Sequence, residues 1–160
     1  MSWIDKVRQA RAEQNFSKAM TLLNQELLAR PNDATVFYQI ACTHDSLGKE
    51  QDAIPAYEKC IALGLEGEDL KAAYLGMGST FRALGQYHKS AQVFEEAIQR
   101  FPDYRAYSVF AALTKFNLGE PARAMELLIR QLAETSADDS IQTYRRALLF
   151  YSDKLSEVFE

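Results

Sequence analysis

Small and large apolar residues recur along this chain on a period of 34 to 37 residues, and each period has room for two helices joined by a turn. The fullest copy reads Tyr74…Gly78…Phe81…Gly85-x-Tyr87…Phe94-x-x-Ala97…Pro102. Aligned on Gly48, Gly85 and Gly119, three units begin at Ala34, Lys71 and Arg105. The fourth place holds Phe37, Tyr74 or Ser108, and the eighth holds Ala41, Gly78 or Ala112. Ala53, Ser90 and Ala124 share the twentieth place, Tyr57, Phe94 and Leu128 the twenty-fourth, and Cys60, Ala97 and Gln131 the twenty-seventh. A degenerate earlier unit puts Trp3 at the fourth place, Phe16 at the seventeenth, Ala19 at the twentieth, Leu23 at the twenty-fourth and Pro31 at the thirty-second.

Small residues at the eighth and twentieth places let two helix backbones approach closely, while the large residue at the fourth or twenty-fourth fills the space beside them. Glycine at the fifteenth place ends the first helix, because it takes the left-handed conformation without a Cβ penalty. Pro31 and Pro102 close second helices, Pro121 suits a helix start, and Pro55 predicts a slight distortion near the first turn of its helix. The pattern predicts nine helices, over 2–13, 16–29, 34–47, 51–63, 69–84, 87–101, 104–118, 121–134 and 139–158. Gly64-Leu65-Glu66-Gly67-Glu68 carries the three surplus residues of the longer repeat and reads as a slack loop.

The last predicted helix stands apart. Ile141, Tyr144, Leu148, Tyr151, Leu155 and Val158 form a continuous apolar seam, which predicts one buried face and a cap over the end of the array. Leu149 and Phe150 fall off that seam, and Phe159 follows it, so the segment has more apolar surface than one neighbour requires. These three residues are candidates for a dimer contact.

Composition narrows the function. A hydrophobic content of 48% supports a core, and 22 acidic against 18 basic residues, a net charge of −4, argue against nucleic acid. A charged start and no apolar run of about 18 residues argue against a membrane span or leader and predict a cytoplasmic location. Cys42 and Cys60 fit neither a disulfide framework nor a zinc motif and read as reduced thiols. His44 and His88 complete the reactive set. Cys42 and His44, two apart on one helix, diverge by about 200° and cannot act as a dyad, and His44 reads as a satisfied core residue. No Gly-rich phosphate loop occurs. The sequence thus predicts no catalytic residue, no cofactor and no metal.

These residues resemble the tetratricopeptide repeat over about 2–137, most clearly in the second and third units. The wording His44-Asp45-Ser46-Leu47-Gly48, Gly64-Leu65-x-Gly67-Glu68-Asp69-Leu70 and Gly78-Ser79-Thr80-x-Arg82-x-Leu84-Gly85 is also similar to a small uncharacterised bacterial family of such proteins. The resemblance implies an all-α, right-handed α-solenoid of antiparallel helix pairs, forming one domain over 1–160. Its repeats would cover about 1–33, 34–70, 71–104 and 105–138, with a capping helix at 139–160. It implies a non-enzymatic module that binds a protein or peptide through its concave groove, or a homodimer that uses the groove or the last helix.

In such arrays the groove is lined by the fifth, sixth, ninth and twelfth places among others. Carried over, these are Tyr38, Gln39, Cys42, Asp45, Leu75, Ser79, Arg82, Val109, Phe110, Leu113 and Phe116, a surface that grows more apolar toward the C-terminus. Arg82 is expected to pair with Asp45 or to anchor a partner's carboxylate. Members that bind chaperone C-termini use a carboxylate clamp of Lys, Asn and Arg. The matching places hold Ile4, Arg8, Gln39, Ala72 and Gly76, or in the shifted frame Tyr38, Cys42, Gly76, Ala106 and Phe110. Neither set supplies the cations, so a clamp is excluded.

Overall fold

The computed structural model describes residues 1–159, which are helical with short connections. In chain order the helices are α1 (Trp3–Ala12), α2 (Phe16–Ala29), α3 (Ala34–Ser46), α4 (Glu50–Ala62), α5 (Gly67–Ala83), α6 (Tyr87–Arg100), α7 (Ala106–Asn117), α8 (Pro121–Thr135), α9 (Asp139–Thr143) and α10 (Arg145–Tyr151). The chain divides into two compact units, Met1–Gln86 and Tyr87–Glu160. The division falls between α5 and α6, inside the third repeat.

In the first unit α1 packs on α2, α2 on α3, α3 on α4 and α4 on α5, while α3 also meets α1 and α5. Ser2 starts α1 with a reciprocal capping box: its hydroxyl accepts from the Asp5 backbone at 3.1 Å, and the Asp5 carboxylate accepts from the Ser2 backbone at 3.0 Å. Asn15 and Asp33 cap α2 and α3 in the same spirit. The predicted packing order holds, since Ala41, Ala53, Tyr57 and Cys60 are all buried.

The first helices of the pairs, α1, α3, α5 and α7, end by one device. Gly48, Gly85 and Gly119 sit at φ +66°, +72° and +78°, and the following N–H bonds back across the last turn, as in Lys49 N to His44 O at 2.9 Å. The degenerate first unit keeps this geometry without glycine. Gln14, at the equivalent fifteenth place, lies at φ 55°, and Asn15 N bonds Ala10 O at 2.8 Å.

The surplus residues of the long repeat do not loosen a loop. α5 spans 17 residues against 13 for α3, and the α4–α5 connection, 63–66, matches the α2–α3 connection, 30–33, in length. Leu65 is buried and Leu65 N bonds Cys60 O at 3.0 Å, so the turn is anchored and the extra length enters the helix. Pro55 lies in the second turn of α4, past the positions where a missing N–H is free of cost.

In the second unit α7 packs on α6 and α8, and α10 packs on α8. Buried Ser90 and Thr114 hydroxyls meet at 2.9 Å between α6 and α7, and the Phe94 and Phe110 rings lie 6.4 Å apart. The expected helix over 139–158 is instead two short helices followed by turns. Asp138 caps α9 by accepting from the Ser140 and Ile141 backbones, and the Gln142 amide donates to Ala133 and Ser136 carbonyls, holding α9 to the end of α8. Ser152 and Lys154 donate to the Leu149 and Phe150 carbonyls and close α10. The apolar seam is therefore dispersed rather than buried, with Tyr144, Tyr151, Leu155 and Val158 exposed.

Candidate functional site

The groove positions divide sharply by unit. On α3, Tyr38 and Gln39 are buried and Cys42 is half-buried. Arg11 reaches over from α1: its guanidinium donates to the Gln39 carbonyl at 3.1 Å, the Gln39 side-chain oxygen at 2.8 Å and the Thr43 hydroxyl at 3.2 Å. Those groups are packing partners within the first unit. Arg11 stands at the twelfth place of the degenerate first unit, the place that holds Asp45, Arg82 and Phe116 in the later ones, which was the available signal; Thr43 stands at no groove place.

Asp45 of α3 joins three helices. Its Oδ2 accepts from the Tyr57 hydroxyl of α4 at 2.5 Å, and its Oδ1 accepts from the Thr80 hydroxyl of α5 at 2.9 Å. The two oxygens are thus engaged by hydroxyls rather than by the expected Arg82. Burial raises the Asp45 carboxyl above the ordinary carboxylate value, with the two hydroxyl donors acting in the opposite sense. Tyr57 reaches this position because Gly76 presents bare backbone, where a Cβ would lie 2.3 Å from the phenol oxygen. A glycine in mid-helix opposite a twenty-fourth-place aromatic was the available signal.

Cys42, His44 and Cys60 lie in the first unit, whereas His88 is exposed at the start of α6 in the second. Burial pushes the Cys60 thiol up to about 12 and also raises Cys42, which keeps both as protonated, weak nucleophiles. His44, expected to be satisfied, has a buried Nδ1 without a hydrogen-bond partner among the described residues. Leu75, Ser79 and Arg82 on α5 are half-buried. Among the described residues no group of three or more His, Cys, Asp and Glu gathers to hold a metal ion. No described helix is long and apolar enough to cross a membrane.

α7 is different. Val109, Leu113 and Phe116 are all exposed, Phe116 by 67%, and their spacing of four then three places them along one side of the helix. Phe110 is half-buried beside Phe94. Of the proposed dimer residues, Phe150 and Phe159 are exposed, whereas Leu149 is half-buried and its carbonyl accepts from Ser152.

Helix hairpins with glycine-closed turns and a small-large-small packing order define an all-α helical-repeat protein, a class whose members serve as protein-interaction scaffolds. The family described as Tetratrico peptide repeat matches residues 33–155, most of the chain. The chain belongs to the tetratricopeptide repeat family. Superkiller protein 3 of Saccharomyces cerevisiae (strain ATCC 204508 / S288c) is 26% identical over 106 residues, which is 66% of this chain but 7% of that protein. This chain therefore spans a small part of that relative's length. Two crystal structures show the same fold: MamA, at 16% identity, 91% coverage of each chain and a TM-score of 0.69, and a second MamA structure, at 15% identity, 99% and 96% coverage and a TM-score of 0.53.

Proposed function

We propose that this chain is a non-enzymatic interaction module that binds a polypeptide through the apolar side of α7, the C-terminal part of the groove face. The observation that carries this reading is the exposed strip Val109, Leu113 and Phe116 on one side of one helix. Such a strip is matched by an amphipathic helix or an extended segment that supplies apolar side chains at compatible spacing. The first unit contributes less to binding, because Arg11 and Asp45 engage the polar groups of α3 internally. Burial raises both thiols and leaves them weak nucleophiles, which supports a non-catalytic role.

The test is Leu113→Glu with Phe116→Glu, compared with the parent chain by far-ultraviolet circular dichroism and by affinity capture followed by direct titration of the captured protein. Both side chains project outward, so helicity should persist. Anchors at the centre of an interface typically contribute about 2 kcal/mol or more each, so affinity should fall by well over tenfold. A folded double variant that binds its partner as tightly as the parent would remove α7 as the site.

A further inference from the structure

The end of the second unit keeps the repeat register. Counting 34 residues on from Arg105 reaches Asp139, the first residue of α9. α10 then packs on α8 as α3 packs on α2, α5 on α4 and α7 on α6, so the segment 139–151 takes the place of a fifth first helix. In that frame Thr143, Tyr144, Ala147, Phe150 and Tyr151 hold the fifth, sixth, ninth, twelfth and thirteenth places, the set that lines the groove in arrays of this family. The same five residues, joined by Arg146, line an open recess of about 390 Å³. Its three aromatic side chains are exposed, while Leu148 and Leu149 are half-buried.

Arg146 holds the eighth place, where Ala41, Gly78 and Ala112 are small because a second helix packs against the first. The described residues after Tyr151 run in turns instead of a second helix, so an arginine is accommodated there and lines the recess. It makes no ion pair among the described residues. The recess is thus aromatic, with one unpaired positive charge.

We infer that this recess docks a segment of another polypeptide that carries an aromatic side chain beside an Asp or Glu. The inference rests on the reading of the chain as a polypeptide-binding module and extends its surface beyond α7. Two observations select the occupant. The first is charge: a carboxylate that meets the unpaired Arg146 at the edge of an apolar recess forms a bidentate, charge-assisted pair. The second is the chain's own tail. Residues 157–159, outside any helix, bring the Phe159 ring to 5.9 Å from Phe150 and 5.6 Å from Tyr151, by centroids. The twelfth- and thirteenth-place rings therefore accept an aromatic from a non-helical segment, and Glu157 gives that segment an acidic neighbour. Phe159 remains 54% exposed, so the tail covers only part of the face.

The test selects a display library of random linear peptides on the immobilised full chain and titrates a synthetic copy of the most enriched peptide. Enriched peptides should combine Phe, Tyr or Trp with a neighbouring Asp or Glu. Arg146→Glu, and Phe150→Asp with circular dichroism unchanged, should each lower the affinity of that peptide by about tenfold or more. Exchanging the peptide's acidic residue for lysine should largely recover binding to Arg146→Glu, a rescue that a folding defect cannot produce. Enriched peptides without an acidic preference, a library that enriches no peptide, or an affinity that Arg146→Glu leaves unchanged would each overturn the proposal. A peptide that is lost on Leu113→Glu with Phe116→Glu but not on Arg146→Glu removes the recess and leaves the α7 site standing. The reverse pattern removes the α7 site and sustains the recess.

Discussion

Gly76→Ala should destabilise the protein although alanine is the better helix former. The added Cβ would lie 2.3 Å from the Tyr57 phenol oxygen, 2.6 Å from Cζ and 3.1 Å from Cε1, and Tyr57 is only 3% exposed, so the ring has little room to retreat. Any retreat also stretches its 2.5 Å bond to Asp45. Overpacking of a tight core contact costs about 1–3 kcal/mol. Weakening a hydrogen bond to a charged acceptor costs about 1.5–3 kcal/mol. Exchanging glycine for alanine inside a helix returns about 1 kcal/mol. The balance is a loss of about 1.5–5 kcal/mol. Urea unfolding followed by circular dichroism measures this directly. Tyr57→Phe removes the hydroxyl that is both the nearest obstruction and the anchor to Asp45. The loss from Gly76→Ala should therefore be smaller in the Tyr57→Phe background by about 1 kcal/mol or more. Because helix propensity alone predicts the opposite sign, a Gly76→Ala variant as stable as the parent would refute the proposed close approach.

Four further outcomes follow from the same geometry. Asp45 has its carboxyl raised above 3.8 in the folded state, so its contribution is undiminished below that pH and is lost as pH rises through the folded value; Asp45→Asn should flatten this segment of the stability curve and compare best with the parent at neutral pH, as read from urea melts at several pH values. Gln14→Gly should stabilise by about 1 kcal/mol by relieving a left-handed non-glycine residue, and Gly48→Ala, where a Cβ meets nothing, should destabilise by a similar amount on conformational grounds alone, both measurable in urea melts. Replacing exposed Pro55 with alanine should raise the thermal midpoint, since it restores an N–H to the second turn of α4; the gain should be about 1–2 kcal/mol after the greater freedom of the unfolded chain is counted. Cys42 and Cys60 should react slowly with a thiol reagent at neutral pH in the folded protein and rapidly in urea, and fast labelling under native conditions would contradict their burial.

The α7 strip was legible in the repeat register, because Val109, Leu113 and Phe116 combine groove places with apolar chemistry and no neighbouring side chain covers them fully. The same register on α3 misled, as Tyr38 and Gln39 occupy groove places yet are buried. A repeat pattern says which way a residue points along its own helix, but not whether a residue 28 positions away, such as Arg11 beside Gln39, will reach across it.

The sequence by itself determined the helix hairpins, the turns at Gly48, Gly85 and Gly119, and the small-large-small packing order. Each of these depends on local backbone conformation and on contacts between adjacent helices, which a repeat writes at fixed spacing. Only the tertiary structure decided that the surplus residues lengthen α5, that Asp45 takes Tyr57 and Thr80 rather than Arg82, and that the terminal apolar seam breaks into α9 and α10. Those choices are competitions among side chains for the same backbone or carboxylate groups. Their winners are set by distances across the fold, as Gly76 beneath Tyr57 shows, and no periodicity along the chain encodes them.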